Sequence, residues 1–79
     1  MRVRVKLIAN YMKLLPTGTQ GNTIELEAQP GAVIGDVLGP LGVPLDDSTV
    51  LLLNGYQAEA DASLSDGDTI TAFSAIAGG

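Results

Sequence analysis

The residues best able to do chemistry are the last two, Gly78 and Gly79. Neither carries a Cβ, so the pair tolerates nearly any backbone conformation and makes a thin filament. A filament of this kind can thread a narrow channel in another protein and present a terminal carboxylate there. Together with Ile76 and Ala77, the glycines make 76–79 a candidate reactive tail, expected to be flexible, on a domain of residues 1–75. Little else in the chain is reactive. Its 79 residues include no cysteine and no histidine. That removes disulfides, thiol nucleophiles, Cys/His zinc, iron–sulfur ligation and imidazole bases together.

Two carboxylate pairs remain, Asp46 with Asp47 and Asp66 with Asp68. Both read as turn formers and solvated charge rather than acid–base dyads. Asp66 and Asp68 alone fall short of the six or more oxygens, roughly, that calcium takes. No glycine run resembles a dinucleotide fingerprint or a P-loop. The chain is therefore expected to hold no catalytic residue, no metal and no cofactor of its own. Any chemistry at Gly79 must be supplied by partner enzymes.

A second candidate site is a surface. Arg2, Arg4 and Lys6 alternate with Val3 and Val5, which puts a basic stripe on one strand face. That stripe reads either as a solvated face in an acidic protein or as part of a docking surface. Phe73, the only phenylalanine, alternates with Ala72 and points outward with Thr71. If the last strand lies beside the first, Arg4, Lys6, Thr71 and Phe73 share one exposed face next to the tail. An exposed aromatic ringed by charge suits a partner interface.

These residues need a scaffold, and the hydrophobic pattern supplies one. Residues 2–9 alternate, with Val3, Val5, Leu7 and Ala9 on the inner face of a strand. Tyr11 to Leu15 leads into Pro16, Gly18, Gly21 and Asn22 and reads as a loop. Residues 23–28 alternate again, with Ile24 and Leu26 inward, and complete a hairpin. Ile34, Val37, Leu38 and Leu41 share a helical face, which predicts a helix over 33–39. Gly35, Gly39 and Pro40 weaken it. Val33 offers no side-chain cap, leaving Asp36 without a capping-box partner. Residues 49–54 are continuously apolar and predict a strand buried on both faces. Asn54-Gly55 predicts a hairpin to 56–58. Asp66-Gly67-Asp68 predicts a tight turn that launches a strand over 69–75, with Ile70 and Ala72 inward. The fold class expected is α+β, a mixed sheet of four to five strands with one main helix packed on one face. The right-handed crossover rule places the last strand beside the first, with the first strand central.

Charge and length exclude other classes. All four basic residues lie within the first thirteen positions, and all nine acidic residues lie between Glu25 and Asp68. A net charge of −5 argues against nucleic acid or an anionic membrane as partner. No apolar run approaches the ~20 residues of a membrane helix. The N-terminal charges alternate with valines, unlike a signal peptide, and a cytoplasmic location is the expectation.

Five segments carry a resemblance to a known family. They are RVRVKLIA over 2–9, PGAVIGDVL over 30–38, the Leu53-Asn54-Gly55 turn, LSDGD over 64–68 and the Gly78-Gly79 end. On these the chain resembles, over essentially its whole length, the ubiquitin-like sulfur carriers of the MoaD/ThiS family. That family includes the small subunit of molybdopterin synthase. The resemblance implies a β-grasp, or ubiquitin-like, fold. It implies that Gly79 is adenylated by a ubiquitin-activating-type adenylyltransferase using ATP, then converted to a thiocarboxylate that donates sulfur. Gly78, Ala77 and Ile76 would form its tail, and Phe73 matches an aromatic that packs against the partner.

The implied acceptor is a molybdopterin synthase large-subunit-like enzyme or another sulfur acceptor, in molybdenum or tungsten cofactor biosynthesis. The chemical logic holds independently. A carboxylate is a poor electrophile, and an acyl-adenylate gives it a good leaving group for a sulfur nucleophile to displace. Two positions depart from the family pattern: Ser74-Ala75 stands where many members have Pro-Pro, and Val33 where a Ser/Thr helix cap is usual. Three other readings share the sequence. One is a ubiquitin-like modifier joined through Gly79 to lysines, one a carrier for thiamin or another sulfur metabolite. The third is an adaptor in which Gly-Gly plays no part.

Overall fold

Val3, Val5 and Leu7 are at most 1% exposed, while Arg2, Arg4 and Lys6 face solvent. This alternation defines β1, Arg2–Leu7, in a computed structural model that describes residues 1–75. The expected tail of Ile76, Ala77, Gly78 and Gly79 lies outside the described residues. The strand ends two residues earlier than its alternation suggests. Ala9 adopts φ +54°, which turns the chain off the sheet and leaves Ala9 exposed rather than inward.

A 3-10 helix, Ala9–Leu14, follows where a loop is expected. Its reason is Tyr11, which buries its ring in the core and keeps only its hydroxyl for polar contact. β2, Thr23–Glu27, returns antiparallel to β1, and as an edge strand leaves Ile24 and Leu26 only half-buried.

The helix α1, Ile34–Leu38, is short, and a 3-10 turn, Gly39–Leu41, takes Pro40 within its first positions. Ile34 and Leu38 are fully buried and seat α1 on the sheet. Asp36 does find a partner at the helix start. Its Oδ2 accepts the Val33 N–H at 3.0 Å, half of a capping box, although the valine side chain has no oxygen to complete the other half. The Asp36 N–H goes instead to the Val33 carbonyl.

β3, Thr49–Leu53, β4, Tyr56–Ala58, and β5, Thr69–Ser74, complete a five-stranded sheet in the order β2-β1-β5-β3-β4. β5 runs parallel to β1 and antiparallel to β3, so β5, not β1, is the middle strand. β1 is interior, between β2 and β5. The burial expected on both faces of β3 is absent: Leu51 is buried, but Val50 and Leu52 are half-buried. A single helical layer covers one face of the sheet, and the other face stays open. The result is a β-grasp, ubiquitin-like α+β fold. Among the described residues no helix is long and apolar enough to cross a membrane.

The β3–β4 turn uses Asn54 at φ +52° and Gly55 at φ +88°, both left-handed, as a two-residue hairpin prefers. A Cβ on Gly55 would meet open space, so only backbone strain opposes it. Gly55→Ala is expected to destabilise the fold by about 1 kcal/mol. Thermal denaturation should show a fall of roughly 4–8 °C.

Candidate functional site

The open face of the sheet gathers the expected interface. The register pairs Lys6 with Thr71 and Thr71 with Leu52, while Phe73 pairs with Val50. Arg4 stands one pair along, opposite Thr69 on β5 and Glu25 on β2. Arg4, Lys6, Thr71 and Phe73 therefore do share one face. Val50 and Leu52 join them and widen the apolar patch around Phe73, two residues that sequence reasoning assigned to the core. The signal that placed them was available: one helix can cover only one side of a sheet.

The basic stripe is not uniform. Arg2 meets Glu25 at 3.3 Å and Glu27 at 3.0 Å, and Arg4 meets Glu25 at 3.8 Å. These exposed cross-strand pairs neutralise the β1–β2 end of the face and add little stability. Among the described residues Lys6 has no carboxylate within ion-pair distance, and threonines flank it on both neighbouring strands. Lys6 is thus the cation of the stripe that has no ion-pair partner among the described residues.

One backbone bond extends past the end of β5. The Ala75 N–H donates to the Ser48 carbonyl at 2.9 Å, one residue past the strand. Ser48 is itself held by Asp46, whose Oδ1 accepts the Ser48 N–H at 2.9 Å and also its hydroxyl. Tyr11 approaches the same carbonyl at 3.4 Å and sits 2.7 Å from Thr49 Oγ1. None of Tyr11, Asp46 or Ser48 stands out in the sequence as a site residue. The only local sign is Asp46 two positions before Ser48, the spacing of an Asx turn.

The Ser48 hydroxyl and amide lower the pKa of Asp46 below the ordinary aspartate value of 3.8. A lowered folded-state pKa means that this contribution to stability is complete above pH 3.8 and is lost as pH falls further. The Ser48 amide resonance is expected to titrate with a midpoint below that value, read by NMR.

The remaining carboxylates are structural. Asp66 Oδ1 accepts the Arg2 N–H at 2.7 Å. Asp68 accepts the Ser65 N–H at 2.7 Å and the Asn54 side-chain amide at 2.9 Å. Among the described residues no group of three or more acidic, Cys or His side chains is placed to hold a metal.

A mixed five-stranded sheet and one short helix on one of its faces define a β-grasp, ubiquitin-like protein. The family model for the Mut7-C ubiquitin matches residues 1–77, and the chain belongs to that family. A search of curated proteins finds no match to the sequence. Solved structures share the fold. The crystal structure of SAMP1 from Haloferax volcanii is 22% identical with a TM-score of 0.76, covering 100% of both chains. A Pyrococcus furiosus protein named as a candidate molybdopterin converting factor, subunit 1, is 24% identical with a TM-score of 0.72, covering 95% of this chain and 98% of that one. The HVO 2177 protein of Haloferax volcanii is 25% identical with a TM-score of 0.76, covering 100% of this chain and 87% of that one. What these structures share with the chain is the ubiquitin-like fold.

Proposed function

We propose that the protein is a cytoplasmic sulfur carrier. A ubiquitin-activating-type adenylyltransferase activates the Gly79 carboxylate, and the resulting thiocarboxylate supplies sulfur for a molybdopterin-type cofactor. The observation that supports this most is positional. Middle strand β5 is paired on both sides, passes Phe73 on the open face, and ends at Ser74, five residues before Gly79.

The chemistry divides between two proteins. A carboxylate oxygen of Gly79 attacks the α-phosphorus of ATP and releases pyrophosphate. A sulfide-equivalent nucleophile then attacks the acyl carbon, and AMP leaves with the C–O bond. This chain contributes the carboxylate, a tail thin enough for a channel, and a docking face of Phe73, Thr71, Lys6 and Arg4. The partner contributes ATP binding and catalysis. An acceptor enzyme resembling the molybdopterin synthase large subunit receives the sulfur.

A second reading keeps the adenylate and changes the nucleophile to a lysine amine, which gives an isopeptide. It is favoured by the shared fold with the small archaeal modifier protein 1 of Haloferax volcanii. Lys6 and Lys13 are the only lysines here, which limits chain building on itself.

Intact mass of the native protein, before and after incubation with ATP, sulfide and the cognate activating enzyme, tests both. A chain ending at Gly79 that exchanges one oxygen for sulfur on its C-terminal peptide supports the carrier. Adducts on lysines of extract proteins favour the modifier. A native C-terminus elsewhere, or an active cognate enzyme that leaves Gly79 unmodified, overturns the reading.

A further inference from the structure

The Asn54-Gly55 turn is tied to the start of β5 through Asn54. Its N–H donates to the Thr69 carbonyl at 2.8 Å. Its side chain bonds at both ends: Oδ1 accepts the Thr69 N–H at 2.9 Å, and Nδ2 donates to Asp68 Oδ1 at 2.9 Å. Asp68 is held in turn, because its Oδ2 accepts the Ser65 N–H at 2.7 Å and its carbonyl accepts the Arg4 N–H at 2.9 Å. The turn itself asks of Asn54 only a left-handed backbone, at φ +52°, and neither side-chain bond is needed for that.

Asparagine before glycine is chemically unstable. With no side chain on the second residue, the Gly55 nitrogen can approach the Asn54 side-chain carbon, Cγ. A bond from that nitrogen to Cγ forms, the Cγ–Nδ2 bond breaks, and ammonia departs with the proton of the Gly55 amide. Water then opens the cyclic succinimide, at Cγ to give aspartate or at the main-chain carbonyl to give isoaspartate. Water is the sole co-reactant. Of the asparagines Asn10, Asn22 and Asn54, only the last precedes glycine; Tyr11 and Thr23 follow the others. Asn54 and Gly55 are both exposed, so water reaches them.

We propose that Asn54 is a site of this self-modification and that Asp68, with the Thr69 backbone, is its guard. Ring closure requires the Asn54 side chain to turn over the Gly55 nitrogen, and Asp68 and Thr69 hold both of its ends elsewhere. The rate is therefore set by how often the turn detaches from β5, a local opening rather than global unfolding. Conversion is irreversible. Aspartate at position 54 sets a carboxylate against that of Asp68, where a donor met an acceptor before. Isoaspartate carries the backbone through one additional carbon, which a two-residue turn pairing Leu53 with Tyr56 does not accommodate. Either product loosens the hairpin whose first strand presents Val50 and Leu52 on the open face.

The test incubates the full-length chain in warm, mildly alkaline buffer, alongside the same chain in urea and the variants Asp68→Ala, Asp68→Asn and Val37→Ala. Mass mapping of the peptide that contains Asn54 reads the exchange of the amide nitrogen for oxygen. Folded wild type is expected to convert about 10²-fold more slowly than in urea, because two side-chain bonds must break, one of them to a charged group. Asp68→Ala should convert about tenfold faster than folded wild type. Asp68→Asn, which keeps an acceptor and loses the charge, should convert about threefold faster. Val37→Ala weakens the core from α1 without touching these bonds, and should convert at the wild-type rate. Equal rates for folded and urea-unfolded wild type overturn the proposal, as does equal acceleration by Val37→Ala and Asp68→Ala. If Asp68→Ala does not fold, Asp68→Asn decides: conversion no faster than wild type overturns the guard.

Discussion

Removing Gly79 alone is expected to reduce activation by the partner enzyme by at least about 10³-fold and to leave the melting temperature unchanged. The truncated chain still ends in a glycine and still carries a carboxylate, so the class of chemistry is preserved. What it loses is reach, by roughly 3.3–3.6 Å. A misplacement of about 1 Å can cost on the order of 10²-fold when a bound nucleophile must meet a fixed centre. A whole residue exceeds that several times over. Stability should not follow, because the buried core runs from Val3 to Ala72. Gly79→Ala complements the deletion: it restores length, adds one methyl group and so reports on the width of the channel. Adenylate formation, measured by pyrophosphate release with the cognate enzyme, checks both. A truncated protein that retains a tenth of wild-type activity would move the reading to an adaptor in which the glycines are incidental.

Much of the scaffold behind this prediction is legible in the amino-acid pattern. Alternation at Val3, Val5 and Leu7 and at Ile70 and Ala72 places the first and last strands and their faces, because a one-residue error in register would bury Arg4 or Lys6. Asn54-Gly55 and Asp66-Gly67-Asp68 announce their turns through backbone chemistry that few other residues satisfy. What escapes is whatever depends on how many layers the fold has. The apolar run over 49–54 looks like a strand covered on both sides, yet α1 covers only one, and Val50 and Leu52 are left on the open face. The 3-10 helix at Ala9–Leu14 escapes for another reason: it is too short to show a period, and its cause is the burial of a single ring. The bonds around Ser48 are the least legible part. Tyr11, Asp46, Ser48 and Ala75 meet through hydrogen bonds across long sequence separations, and no local pattern encodes such a meeting.

Phe73→Ala is expected to weaken docking on the activating enzyme by about 10- to 100-fold with little change in kcat at saturation. The expectation follows from the balance of groups on the open face. Phe73 is half-buried, cross-strand from Val50 and on the same face as Leu52 and Thr71, so it offers a large rigid apolar surface already ordered by its neighbours. Truncation forfeits that contact and leaves no polar group stranded. The cations rank below it, and unequally. Lys6, free of any carboxylate among the described residues, should govern association rate and its salt dependence, so Lys6→Glu slows binding most at low ionic strength. Arg4 already faces Glu25 at 3.8 Å in an exposed pair, and Arg4→Ala should change binding by only a fewfold. The order Phe73, Lys6, Arg4 is the content of the prediction, and titration calorimetry at two salt concentrations measures it. Binding by Phe73→Ala within twofold of wild type would place the interface elsewhere. The unaltered kcat matters equally, because a docking residue on β5 acts on binding and leaves the chemistry at Gly79 to the partner enzyme.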